Sequence, residues 1–138
     1  MHLANDFLYG VGSEHNTGIK VESLSANPAV LTCLANDIGY DEIYAHQLKV
    51  KADADDVLVI LSGSGNSANV VRALEVGNEI KMRTFAIVGY SGGRCKELAE
   101  TPIYFPINDM QIAEDLQLIV GHMCMQSVKR LIDDSSPK

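Results

Sequence analysis

The sequence is short of cysteines, of basic residues and of long hydrophobic segments, and each shortage excludes a class of protein. Its three cysteines, Cys33, Cys95 and Cys124, form no Cys-x-x-Cys pair, so we expect reduced thiols rather than a disulfide framework. Eleven Lys and Arg residues against eighteen Asp and Glu give a formal charge of −7 without a basic patch, which argues against nucleic acid or an anionic membrane as partner. The longest purely aliphatic run covers residues 57–61, far below the ~20 residues of a membrane span.

What the sequence does contain is typical of one globular α/β domain. Its 138 residues are 46% apolar and 21% charged. Hydrophobic spacing predicts helices over residues 1–8, 27–36, 41–48, 67–80, 96–99 and 112–131, and strands over residues 18–22, 57–61, 84–88 and 103–105. Asn27 before Pro28, and Asp41, are the expected helix caps. Strands that alternate with helices predict a parallel sheet, and the polar residues 133–138 predict a disordered tail.

The segment between the strand at 57–61 and the following helix carries the clearest chemical signal. It consists of Ser62, Gly63, Ser64, Gly65, Asn66 and Ser67. Glycines let backbone N–H groups turn toward an anion, a helix start adds positive potential, and serine hydroxyls can donate to phosphate oxygens. The Gly-Lys-Ser/Thr ending of a Walker loop and the third glycine of a dinucleotide-binding loop are absent, so no nucleotide cofactor is expected. A plain Gly/Ser turn is the alternative.

This strand and loop resemble the phosphosugar-binding loop of the sugar isomerase (SIS) domain family, and in particular its phosphoheptose isomerase branch. Three further segments are similar to that branch: residues 35–40 (ANDIGY), residues 88–93 (VGYSGG), and the last helix, where Glu114 precedes His122 by eight residues. The resemblance implies a flavodoxin-like three-layer sandwich with a mainly parallel sheet, and an SIS domain over residues 1–132. It also implies that Asn36, Asp37 and Glu114 bind substrate together with the loop.

The start of the chain matches a helix that follows the first strand of the family. That helix carries a His and, four residues later, a Glu; here His2 and Asp6 occupy the two positions, Asp6 being one methylene shorter. We therefore expect an N-terminally truncated domain without the first strand, its Gly-Asn-Gly-Gly-Ser loop and the leading helices. The absent strand would lie between residues 18–22 and 57–61.

The resemblance implies an aldose–ketose isomerase that acts on a phosphorylated sugar through an enediol, with Asp6 and His122 as acid–base groups. It further implies one zinc ion held by His2, Asp6, Glu114 and His122, a homotetramer and a cytoplasmic location. The alternative is a non-catalytic SIS-type module that binds sugar phosphates or regulates in response to them, inactive through truncation.

Overall fold

A computed structural model describes residues 1–135 of the chain. Its helices are α1 (His2–Asn5), α2 (Pro28–Asp37), α3 (Ala45–Lys51), α4 (Ala68–Ile80), α5 (Gly93–Leu98) and α6 (Met110–Ser135), and its strands are β1 (Val57–Ser62), β2 (Arg83–Val88) and β3 (Thr101–Tyr104). A π-helical turn covers Asp6–Gly10, and 3₁₀ turns cover Ser13–His15 and Tyr40–Glu42. No helix within residues 1–135 combines the length and apolar character that crossing a membrane requires. The chain divides into two compact units.

The larger unit, Asn27–Gln117, contains the whole sheet. The strand order is β1-β2-β3, and both neighbouring pairs are parallel, with Leu58 opposite Thr84 and Ile87 opposite Ile103. Strands joined through α4 and α5 confirm the α/β fold that the alternating pattern predicts. The parallel arrangement brings the carboxyl ends of all three strands to one edge of the sheet.

The two faces of β1 are buried to different extents. Leu58 is buried against α4, where a Cβ on Gly77 would lie 2.8 Å from its Cδ2 atom. On the opposite face Val57, Val59 and Leu61 are 62%, 50% and 41% exposed. β1 is an edge strand, and α6 reaches the neighbouring strand β2, where Gln117 Nε2 donates to the Ile87 carbonyl.

Helix starts in the larger unit follow one sequence prediction and depart from another. Asn27 caps α2 as predicted, because its Oδ1 atom accepts hydrogen bonds from the N–H groups of Ala29 and Val30. Asp41 caps no α-helix and instead lies within a 3₁₀ turn. Gly39, at φ +105°, opens that separate turn, which the N–H of Glu42 closes on the Gly39 carbonyl.

The smaller unit consists of Met1–Ala26 and the chain from Leu118 onward, with Val11 fully buried. Residues 18–22 do not form the predicted strand, because the N–H of Ile19 bonds to the Phe7 carbonyl rather than to a neighbouring strand. The first part of the predicted tail is helical, since α6 continues through Ser135, where Asp133 bonds to His15 and forms an ion pair with Lys129. Residues 136–138 of that predicted tail lie outside the described residues.

Candidate functional site

The serine–glycine loop, residues 62–67, lies at the carboxyl edge of the sheet, between β1 and α4. Ser62 is the last residue of β1, and Ser67 is the N-cap of α4 without a capping bond from its side chain. Gly65 adopts φ +68°, and a Cβ at this position would overlap the Gly92 carbonyl, so only glycine fits. Ser62 and Ser64 are partly exposed and Ser67 is exposed, so solvent reaches the loop.

Hydrogen bonds inside the loop prepare its hydroxyl groups to donate. The N–H of Gly65 donates to Ser62 Oγ at 3.1 Å, and the N–H of Asn66 donates to Ser64 Oγ at 3.3 Å. A hydroxyl that accepts one hydrogen bond keeps its own proton for a further acceptor. The loop therefore offers hydroxyl protons to an anion, whereas the N–H groups of Gly65 and Asn66, expected in the anion cradle, are engaged within the loop.

The turn after β2, residues 89–95, supports the loop from behind. The N–H of Gly89 donates to the Gly63 carbonyl at 2.8 Å, and the N–H of Cys95 donates to the Gly65 carbonyl at 2.9 Å. Because C=O and N–H of one peptide unit point in opposite directions, the Gly63 carbonyl directs the N–H of Ser64 away from this turn. Burial raises the pKa of the Cys95 thiol to about 11, so this cysteine is a packing residue rather than a nucleophile.

Nearby cations are engaged elsewhere. The Arg94 guanidinium pairs with Glu75 at 3.0 Å, and the Lys96 ammonium lies 3.8 Å from the centre of the Tyr104 ring. Hydroxyl groups and the start of α4 are thus the groups that the loop itself presents to an anion.

Asn36 and Asp37 lie at the end of α2 in the same unit as the loop. Asn36 Nδ2 donates to Asp37 Oδ1 at 2.8 Å, and the Cys33 thiol donates to the other carboxylate oxygen of Asp37. These bonds fix the two side chains relative to each other. Their predicted contact with substrate stays a prediction.

The smaller unit brings three predicted site residues together: His2, Asp6 and His122. The Nε2 atoms of the two histidines are 3.0 Å apart, and Asp6 Oδ2 lies 3.3 Å from His2 Nε2 and 3.4 Å from His122 Nε2. The imidazole rings meet edge to face, with an interplanar angle of 78°. Asp6 is the least exposed of the three, with 18% of its side chain accessible.

This donor set fits a divalent metal ion. Three ligand atoms on a tetrahedral zinc ion, at bond lengths of ~2.0–2.1 Å, are separated by about 3.3 Å. The separations of 3.0, 3.3 and 3.4 Å between the atoms of His2, Asp6 and His122 agree with that geometry. Glu114, the fourth predicted ligand, belongs to the larger unit, and its part in metal binding stays a prediction.

Sequence reasoning missed the residue that lets these side chains meet. Gly121 precedes His122 in α6, and a Cβ there would lie 2.5 Å from both methyl groups of Leu3 in α1. His2 and Asp6 flank Leu3 and share one helical face because they are four residues apart. A glycine inside an apolar helix, next to a predicted ligand, is the signal that could have indicated this close approach.

Comparisons with known proteins show which family this chain resembles. A family model described as SIS domain matches residues 3–89. Phosphoheptose isomerase of Akkermansia muciniphila is 34% identical over 95% of this chain and 69% of its own length. That of Helicobacter pylori is 33% identical over 82% of this chain, a match that spans 59% of the relative. The structure of a phosphoheptose isomerase from Neisseria gonorrhoeae superposes with a TM-score of 0.85 at 25% identity, covering 94% of this chain and 68% of that one.

Proposed function

The chain belongs to the SIS domain family, and we propose that it is an aldose–ketose isomerase acting on a phosphorylated sugar. The observation that carries the proposal is the set of hydroxyl groups, on Ser62, Ser64 and Ser67, presented at the carboxyl edge of a parallel sheet. Such groups suit a phosphate ester in a protein whose net charge is −7. The relatives' name, phosphoheptose isomerase, supports a seven-carbon sugar phosphate such as sedoheptulose 7-phosphate.

The proposed reaction moves one proton between two adjacent carbon atoms. A base removes the proton from the carbon next to the carbonyl group, which gives an enediol(ate); the proton then returns to the former carbonyl carbon, while the hydroxyl and carbonyl oxygens exchange roles. Asp6 is the proposed base and His122 the proposed acid that protonates the oxygen, since a carboxylate and an imidazole can share these steps. We assign substrate contacts to Asn36, Asp37 and Glu114.

The cluster also supports a metal-dependent form of this proposal. His2, Asp6 and His122, with Glu114 as fourth ligand, would hold one zinc ion, which when bound supplies a Lewis acid that polarises a carbonyl group. In that case the histidines bind through unprotonated Nε2 atoms. A metal titration followed by calorimetry tests this part independently of turnover: His122→Ala abolishes zinc binding, whereas His46→Ala, an exposed histidine outside the cluster, leaves it unchanged.

A homotetramer in the cytoplasm completes the proposal. Its support is the part of α6 in the smaller unit, where four large apolar side chains are 40% to 66% exposed: Leu118, Ile119, Met123 and Leu131. A helix that is apolar on more than one side buries surface by associating with further copies. The reduced cysteines agree with a reducing compartment.

The decisive experiment incubates the chain with sedoheptulose 7-phosphate, with and without zinc, and measures formation of the aldose product. Wild-type and His46→Ala proteins form product, whereas His122→Ala and Asp6→Asn lose at least about a hundredfold in rate, the usual contribution of an acid–base group. Binding of the sugar phosphate without turnover contradicts the isomerase and favours the binding module instead. A wild-type chain that neither binds nor converts this substrate contradicts both.

A further inference from the structure

Asn66 is the one loop residue whose side chain bonds to two different backbone segments. Its Nδ2 atom donates to the Ser64 carbonyl at 3.3 Å, and its Oδ1 atom accepts from the N–H of Arg94 at 3.1 Å. One amide group thus joins the serine–glycine loop to the start of α5. Asn66 is exposed, so these hydrogen bonds, and not the burial of apolar surface, hold its side chain in position.

The turn that receives Asn66 has a shape that few residue types allow. Tyr90, Gly92 and Gly93 adopt φ +46°, +85° and +53°. A Cβ on Gly93 would lie 2.6 Å from Asn66 Oδ1 and 2.6 Å from the Ser64 carbonyl oxygen. Gly93 therefore leaves the space into which the Asn66 amide fits, and these two residues form one packed contact.

This contact fixes Ser64 at two points. The Asn66 side chain holds the Ser64 carbonyl, and the Asn66 backbone N–H donates to the Ser64 hydroxyl, which orients the hydroxyl proton away from that bond. We propose that Asn66 is a positioning residue that aims the Ser64 hydroxyl at the phosphate group. Its amide does so from the space that Gly93 leaves open. The inference rests on the proposed function. Asn66 is then not itself a phosphate ligand, although its place in the loop suggests one.

The test compares Asn66→Ala, Gly93→Ala and the double variant in the binding of sedoheptulose 7-phosphate, measured by calorimetry, and in steady-state kinetics. Asn66→Ala loses two hydrogen bonds and weakens binding about tenfold, with a similar rise in KM and little change in kcat, because phosphate anchoring is shared by ground and transition states. Gly93→Ala disrupts the same contact from the α5 side. The double variant therefore binds sedoheptulose 7-phosphate no more weakly than the single variant with the lower affinity.

Asn78→Ala is the matched control. Asn78 also joins two segments through its amide, accepting from Thr84 Oγ1 and donating to the Leu98 carbonyl, each at 2.9 Å, at the far end of α4. We expect Asn78→Ala to lower the thermal stability of the chain without changing its affinity for the sugar phosphate. If Asn66→Ala changes affinity no more than Asn78→Ala, or if the Asn66 and Gly93 effects multiply, the inference is overturned.

Amide hydrogen exchange in the absence of ligand tests the inference independently of the proposed function. It also provides a test if the Gly93→Ala chain fails to fold. Asn66→Ala speeds exchange at Arg94, whose N–H loses its acceptor, at least about tenfold relative to the wild-type chain. Unchanged exchange at Arg94 overturns the inference. A wild-type chain that shows this protected amide but does not bind the sugar phosphate contradicts the proposed function instead.

Discussion

At the scale of single residues, the serine hydroxyls of the loop matter because of the bonds they already accept. Ser64 Oγ accepts a hydrogen bond from the N–H of Asn66, so the hydroxyl proton of Ser64 can donate to a further acceptor. A hydrogen bond from a neutral hydroxyl to a charged phosphate contributes about 1.5–3 kcal/mol. We therefore predict that Ser64→Ala weakens the binding of sedoheptulose 7-phosphate by about 10- to 100-fold, as measured by calorimetry.

The control for this prediction is Ser127→Ala. Ser127 is an exposed serine of α6 whose hydroxyl donates to the Met123 carbonyl, and its removal leaves sugar phosphate binding at the wild-type level. Equal affinity of the Ser64 and Ser127 variants would show that the hydroxyl of Ser64 does not contact the phosphate.

Also at residue scale, protonation of Asp133 links pH to stability. Hydrogen bonds from His15 and then from Lys129 hold the pKa of the Asp133 carboxyl below its ordinary value of 3.8. A carboxyl whose folded-state pKa is lowered stabilises the native state above its unfolded-state pKa, and this contribution disappears as the pH falls through the folded-state pKa. Asp133→Asn is thus less stable than the wild-type chain at neutral pH, and the two converge below the ordinary carboxyl range.

Urea unfolding at a series of pH values measures that difference. Asp134→Asn, the exposed neighbour, serves as the control and follows the wild-type curve throughout. A constant gap between Asp133→Asn and the wild-type chain down to the acid limit would mean that the carboxylate charge is not the cause.

At the scale of secondary-structure elements, the approach of α1 to α6 assembles the His2–Asp6–His122 cluster. The contact depends on Gly121, because a larger residue meets the methyl groups of Leu3. We predict that Gly121→Val displaces the Leu3 side chain, disturbs the packing of α1 on α6 and weakens zinc binding about threefold or more, as overpacking at a helix contact does. Calorimetric zinc titration measures the loss.

Gly10→Val is the control for that experiment. A Cβ at Gly10 meets nothing within 4 Å, so the substitution leaves the α1–α6 contact in place. Zinc affinity of the Gly121 variant equal to that of the Gly10 variant would contradict a role for this close contact.

The positions of helices and strands could be predicted from the sequence where neighbouring residues determine them. The Asn27–Pro28 pair marks the start of α2, and the aliphatic run at residues 57–61 marks β1, since capping and strand formation depend on neighbouring residues. Residues 18–22 have a strand-like composition, yet the N–H of Ile19 bonds to Phe7, a tertiary choice that no local pattern encodes. The 3₁₀ turn at Tyr40–Glu42 was likewise missed because Gly39 redirects the chain.

In the candidate site, too, sequence patterns and resemblance pointed to some residues, while residues that depend on tertiary packing were missed. Resemblance predicted that His2 and Asp6 share a site with His122, more than a hundred residues away in sequence, and the structure brings the three side chains together. The role of the loop in binding phosphate stays a prediction. Resemblance did not identify the partners that depend on packing, such as Gly121 beside α1 or Arg94 beside Asn66. Nor did it identify the contact of His15 with Asp133 at 2.9 Å.

At the scale of the whole molecule, the chain spans 59% of the Helicobacter pylori relative and 69% of the Akkermansia muciniphila one. The family match therefore shows the fold, while turnover is a property to be measured on this chain itself. The experiment on sedoheptulose 7-phosphate is decisive at this scale, because substrate binding and conversion are scored separately.

The uncovered edge and face of β1 have a consequence for handling the purified chain. Its outer edge has no partner strand within residues 1–135, and Val57, Val59 and Leu61 project beside that edge. An open edge with apolar side chains is a template on which another molecule can add a strand. We therefore expect the purified chain to aggregate through encounters between molecules, at a rate that rises with protein concentration, so that storage in dilute solution slows the loss.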